Sequence, residues 1–126
     1  MERTLIILKP DALKLKIQDE LLDSLVQAGL CCLTRKTLQL TRELILKWRE
    51  NWDSYDDWFW KHVDFMTSAP VEIWLVSGPQ AVAATLGVKS IFRNKYASSR
   101  IKNILHCPDC AEEATHEIDL FINGRG

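Results

Sequence analysis

Strand-type apolar runs interleaved with helical stripes predict an α+β fold for this chain. Three stretches carry most of that expectation. Arg3 to Leu8 is an unbroken apolar run bracketed by charge, as in a central strand covered on both faces. Val71 to Val76 reads as another strand, starting after Pro70. Near the C-terminus, Ile104-Leu105 ends a short buried run, and Pro108-Asp109 then breaks it ahead of an amphipathic helix.

The elements between follow in order. Lys9-Pro10-Asp11 stops the first strand, and Ile17, Leu21, Leu25 and Ala28 form a helical stripe, with Leu22 beside it and Gly29 as C-cap. Leu30 to Leu40 reads as a long strand of imperfect alternation, rich in Thr, Cys and Leu. Thr41 is placed to cap a helix with apolar positions at Leu44, Ile45 and Trp48. Ser54-x-x-Asp57 has the spacing of a capping box for a further helix carrying Phe59, Val63 and Met66 on one face. After the third strand, Gln80 to Leu86 predicts a short helix ended by Gly87, and Ser90 to Tyr96 a basic helical turn. In the last helix the stripe is Ala111, Ala114, Ile118, Phe121 and Ile122, with Asp109 as its N-cap and a loose tail from Asn123. Four strands with crossover helices on one face fit a ferredoxin-like βαββαβ sandwich with a four-stranded antiparallel sheet.

Bulk properties narrow the function classes. With 126 residues, 47% of them hydrophobic and 26% charged, one soluble globular domain spanning 1–126 is expected. A net charge of −1 provides no field for steering nucleic acid or a membrane surface, so an anionic ligand must be held by local donors. No apolar run approaches the ~20 residues of a membrane span. Met1-Glu2-Arg3-Thr4 leads straight into a strand, which predicts no signal peptide. Four cysteines in that setting imply reduced thiols and a cytoplasmic location.

The chemistry is concentrated in the strand-turn-helix unit near the C-terminus. His106 stands at the strand's exit, and at about 100° per residue Glu117 flanks the stripe of the last helix, within reach beneath the strand. Neutral imidazole is nucleophilic near neutral pH, and a carboxylate on its second nitrogen fixes the tautomer and stabilises the cation formed on attack. A structural hydrogen bond is the alternative for His106; the offset to Glu117 and the nearness of Asn103 favour a chemical role.

This unit resembles the active-site segment of the nucleoside diphosphate kinase family, Asn-Ile-Ile-His-x-Ser-Asp followed by a helix bearing Ala-x-x-Glu-Ile. Asn103, His106, Asp109, Ala114, Glu117 and Ile118 match it in order and spacing. The stretch from Arg3 through Lys9-Pro10-Asp11 resembles the family's first strand and turn, and Met66-Thr67-Ser68-Ala69-Pro70 its Met-x-Ser-Gly-Pro junction. Three ordered motifs over about residues 3 to 122 make the resemblance specific.

The resemblance implies phosphoryl transfer from a nucleoside triphosphate to His106 and on to a nucleoside diphosphate, with Mg²⁺ carried by the nucleotide phosphates. It implies phosphate contacts from Lys9 and Arg93, a nucleotide contact from Asn103, and base stacking on Trp58. A solvated lysine, a solvated basic turn and a core tryptophan are the respective alternatives for Lys9, Arg93 and Trp58. The family commonly builds hexamers or tetramers from one style of dimer; the short segment between Gly87 and Arg93 and the apolar edge Leu30-Cys31-Cys32-Leu33 predict a homodimer that does not go on to a hexamer.

The departures bear on rate. The family's second arginine and its threonine have no counterparts in register over Ala83 to Ser90, leaving Lys89 or Lys95 as substitutes. Pro108 stands where a serine is usual, and Trp48 and Trp52 are the aromatics nearest to an expected tyrosine. These gaps keep open a catalytically weak nucleotide-binding sensor or interaction module of the same fold. A Cys/His metal or redox site at Cys107 and Cys110, next to His106 and upstream of His116, is the other alternative.

Overall fold

The computed structural model describes residues 1–50 and 55–124. Ser54 of the expected capping box, Trp52 and the end of the tail lie outside them. Strands β1 (Glu2–Leu8), β2 (Cys31–Leu38), β3 (Val71–Gly78) and β4 (Leu105–His106) form one antiparallel sheet in the order β2-β3-β1-β4. Helices α1 (Pro10–Leu15), α2 (Gln18–Gln27), α3 (Arg42–Trp48), α4 (Asp57–Met66), α5 (Ala81–Tyr96) and α6 (Ala111–Glu117) connect and follow the strands.

The helices cover both faces of the sheet, not one. Successive β1 residues point to opposite sides, so Ile6 and Leu8 join Leu21, Leu25, Trp74 and Phe92 in one core. Leu5 and Ile7 join Ile45, Phe59, Val63, Ile73 and Phe121 in the other. That division explains why the first strand is apolar at every position from Leu5 to Leu8 rather than alternating.

Several local expectations are corrected. Pro10 does more than stop β1: it occupies the first turn of α1, where its missing N–H costs nothing. The irregular pattern of β2 has a cause in a bulge between Cys32 and Thr34, which leaves Leu33 outside the ladder. Gly87 does not end a helix. The cores on its two sides, Val82 and Thr85 before it and Val88 and Phe92 after it, keep α5 continuous through Tyr96. Asp56 caps α4, its carboxylate accepting from the Phe59 N–H at 2.9 Å. Thr41 caps α3 as expected, accepting from the Leu44 N–H at 3.1 Å.

At the C-terminus Cys110, not Asp109, occupies the N-cap of α6, because Glu113 reaches back to accept the Asp109 N–H at 3.0 Å. The last helix changes to a π-helical turn over Ile118–Ile122, where the extra residue per turn drives Leu120 and Phe121 into the core. Glu117 consequently lies within the buried face at 2% exposure, not beside it. A carboxylate tolerates that place only with a partner.

Candidate active site

The partner is His106. Its Nε2 lies 2.8 Å from Glu117 Oε1. A carboxylate only accepts, so Nε2 carries the proton and Nδ1 keeps its lone pair. Burial holds the His106 pKa below its ordinary value, and the Glu117 charge opposes that shift without reversing it. The imidazole therefore rests neutral near pH 7 with one nitrogen tied and the other available.

The turn that presents His106 is pinned from the other end of the chain. Ile104 has φ of 66°, a left-handed conformation that β-branched residues avoid. Its carbonyl accepts the Lys9 N–H at 2.8 Å, and its N–H donates to Asp11 Oδ2 at 3.1 Å. Lys9-Pro10-Asp11 thus holds both backbone groups of the strained residue and sets His106 opposite Ile7 in the sheet. Arg93, on α5, adds a third tie by donating Nη2–H to the Leu105 carbonyl at 2.7 Å.

Lys9 is 3% exposed, and its ammonium donates to Asn103 Oδ1 at 2.7 Å and lies 3.4 Å from His62 Nε2. Burial foremost, with the Arg93 charge next, lowers its pKa to about 7. His62 is pushed down to about 3 by burial and by Lys9, so it is neutral.

These side chains surround a cavity of about 250 Å³. Lys9, Arg49, Arg93 and Arg100 bring positive charge to it; Trp58, His62, Asn103 and His106 complete the wall. Among the described residues no carboxylate lines it, an arrangement that suits a polyanion. A larger groove of about 440 Å³ passes Pro10, Phe65 and Ala69, but its walls are mainly apolar and carry no imidazole. The imidazole of His106 and the cationic side chains line the smaller cavity.

All six residues singled out in the sequence meet here, with Glu117 behind His106 and the other five on the cavity wall. Trp58 is half-buried and its ring lies parallel to His62 at 5.7 Å between centroids. Of the two substitute lysines, Lys95 turns away and pairs with Glu20 at 2.9 Å, whereas Lys89, one turn before Arg93, comes within 4.0 Å of Asp109. Trp48 is the aromatic neighbour of His106, edge to face at 4.8 Å. Arg49, His62 and Arg100 escaped the sequence reading. The spacing of Trp58 and His62, four apart on one helix, was the available signal for His62; Arg49 and Arg100 lie beyond helix ends where periodicity carries nothing.

The cysteine alternative loses its chemistry. Cys107 is 1% exposed and burial pushes its thiol up to about 12, which disfavours the thiolate that metal binding or disulfide exchange requires. Cys110 is exposed, and among the described residues no group of three or more His, Cys, Asp or Glu side chains is gathered to hold a metal ion.

Comparison with known proteins agrees with the geometry. The family model described as nucleoside diphosphate kinase matches residues 2–125. A nucleoside diphosphate kinase of Acetivibrio thermocellus is 33% identical, the match covering 97% of this chain and 96% of that protein. One of Frankia casuarinae is 32% identical, covering 98% of this chain and 97% of its own length. The crystal structure of nucleoside diphosphate kinase from Encephalitozoon cuniculi superposes with a TM-score of 0.86 at 31% identity, covering 97% of this chain and 89% of that one. Matched by the family model and by relatives more than 30% identical over nearly its whole length, with the same fold, the chain belongs to the nucleoside diphosphate kinase family of phosphotransferases.

Proposed function

We propose that His106 is the phosphoryl carrier of a nucleoside diphosphate kinase built on one domain spanning residues 1–126. The observation that carries the assignment is the 2.8 Å contact between His106 Nε2 and Glu117. It leaves Nδ1 as the nucleophile. The Nδ1 lone pair attacks the γ-phosphorus of a nucleoside triphosphate, the bond to the β-phosphate oxygen breaks, and the diphosphate leaves with that electron pair. The imidazole becomes cationic, and Glu117 stabilises it through Nε2–H. A terminal phosphate oxygen of a second nucleoside diphosphate then attacks the phosphorus, and His106 returns to its neutral state.

The other residues divide between positioning and charge. Lys9 and Arg93 meet the phosphates, Asn103 orients Lys9 through its 2.7 Å hydrogen bond, and Trp58 stacks on the base. Stacking on a π-face discriminates poorly between bases, which fits an enzyme that accepts many. Mg²⁺ arrives as part of the substrate, on the nucleotide phosphates. No helix of the described residues is long and apolar enough to cross a membrane. We place the enzyme in the cytoplasm on the ground of its four free cysteines, acting on nucleotides and not on nucleic acid or membranes.

Brief incubation with γ-labelled ATP tests the assignment. An acid-labile, base-stable label is expected on the wild-type protein and none on His106→Ala. Label that persists in that variant, or moves to His62 or His116, overturns it. Nucleotide binding without label identifies a sensor of the same fold.

A further inference from the structure

The family's second arginine is missing from α5, where Ala83 and Ala84 occupy the helix. The cavity is nevertheless lined by guanidinium groups besides that of Arg93. Arg49 comes from the other side of the sheet, at the C-cap of α3, and lines the same 250 Å³ space as Lys9, Arg93 and His106. We propose that Arg49 is a substrate-contacting residue of the phosphoryl transfer, its guanidinium gripping the terminal phosphates from the α3 side while Arg93 flanks them from α5. The proposal rests on assigning this cavity to nucleotide phosphates.

Three observations support it. The backbone of Arg49 is held twice, its N–H donating to the Ile45 carbonyl at 2.9 Å and its own carbonyl accepting the Tyr55 hydroxyl at 2.9 Å. The side chain starts from a fixed point. Its guanidinium then lies over the Trp48 ring at 4.0 Å, and Trp48 meets the His106 ring edge-on at 4.8 Å. One indole therefore sets the placement of both the cation and the nucleophile. Lastly, the Arg49 charge is among the causes that lower the pKa values of His106, Lys9 and His62, so it acts within the reacting volume and not beyond it.

Residue type fits the task. A guanidinium stacks on an aromatic face, is weakly hydrated, and still offers N–H donors in its plane for bidentate contact with a phosphate. Lysine supplies charge without that geometry. In the free protein Arg49 lines the cavity with Lys9, Arg93 and Arg100, and among the described residues no carboxylate lines it, so a polyphosphate meets several cationic donors at once. The bound state gains most where negative charge spreads over the transferring group.

Arg49→Leu and Arg49→Lys in the full chain decide the point, by the single-turnover rate of labelling from MgATP, the affinities for MgATP and adenosine, and the melting temperature. Losing one such donor costs about 10²–10³ in rate, and Arg49→Leu is expected to slow labelling on that scale. It should weaken MgATP at least tenfold while leaving adenosine and the melting temperature nearly unchanged. Arg49→Lys should recover part of the rate, and added guanidinium ion should raise the rate of Arg49→Leu but not that of wild type. Labelling within twofold of wild type in Arg49→Leu overturns the proposal. So does a rate loss that follows the melting temperature and does not respond to guanidinium, which reduces Arg49 to a packing role on Trp48. Should Arg49→Leu not fold, Arg49→Lys decides alone: full wild-type rate and affinity overturn the need for a guanidinium. If wild type takes no label, the kinase assignment fails, and the selective loss of MgATP over adenosine still judges Arg49.

Discussion

The backbone N–H of Ile104 donates to the carboxylate of Asp11, 3.1 Å away and 93 residues earlier in the chain. A non-glycine residue held in the left-handed region costs about 1–3 kcal/mol and persists only where its surroundings over-determine it. Asp11 and the Lys9 N–H supply that determination. Asp11→Ala leaves a buried N–H unpaired, a loss of about 1–3 kcal/mol. It should lower the melting temperature by several degrees and reduce labelling of His106, because the turn that presents the imidazole relaxes. Asp11→Asn retains an acceptor and should lose much less. Equal melting temperatures for Asp11→Ala and wild type would show that the turn holds its shape without the carboxylate.

In the proposed mechanism Glu117 acts through charge, and an amide of the same shape keeps the contact with Nε2 while removing that charge. Glu117→Gln removes the counter-charge for the imidazolium. Labelling should slow by one to three orders of magnitude, about the range for a lost electrostatic partner, with MgATP affinity preserved. An unchanged kcat would assign Glu117 to packing alone.

Under the proposed nucleotide contact, Lys9 should make binding proton-linked. With its pKa lowered to about 7 by burial and by Arg93, most of the free protein carries it neutral at pH 8. An entering polyphosphate restores the charge, so binding at pH 8 should take up a proton. Titration calorimetry in buffers of different ionisation enthalpy reads this directly, and Lys9→Met should abolish the buffer dependence. The sign for stability follows. Between about 7 and the ordinary value of 10.5 the unfolded chain binds more protons than the folded one, so stability rises with pH across that window. Below it the penalty of a buried ammonium is fully present. The stability advantage of Lys9→Met over wild type should therefore be larger at pH 6.5 than at pH 9 in urea unfolding; a constant difference would contradict the shift.

Strand β2 lies at the sheet edge, with most of its residues exposed. Leu33 at 46% and Val26 of the neighbouring α2 at 62% exposure add apolar surface beside it. Unpaired edges with apolar flanks are association sites, and a two-fold axis covers both at once. Light scattering of dilute protein should give a dimer mass. A monomer mass would mean the edge is protected some other way, and a hexamer mass that the short segment between Gly87 and Arg93 is no obstacle.

Much of this was legible in the linear chain, and for physical reasons. A strand segment buried on both faces must be apolar throughout, so β1 and β3 declare themselves in the runs Leu5–Leu8 and Ile73–Val76. The helical offset that carries Glu117 to His106 is likewise a property of neighbouring residues, as is the Lys9-Pro10-Asp11 turn. The local punctuation misled at Gly87, because a glycine inside a helix costs only about 1 kcal/mol, less than the burial of Val88 and Phe92 returns. What tertiary structure alone decided is the company that His106 keeps. Arg49 ends one helix, His62 lies within another and Arg100 belongs to a turn, and nothing periodic connects them to the strand that bears His106. Hydrophobic pattern reports which face of an element is apolar but not which other element covers it, and a cavity is made of the places where those covers leave a gap.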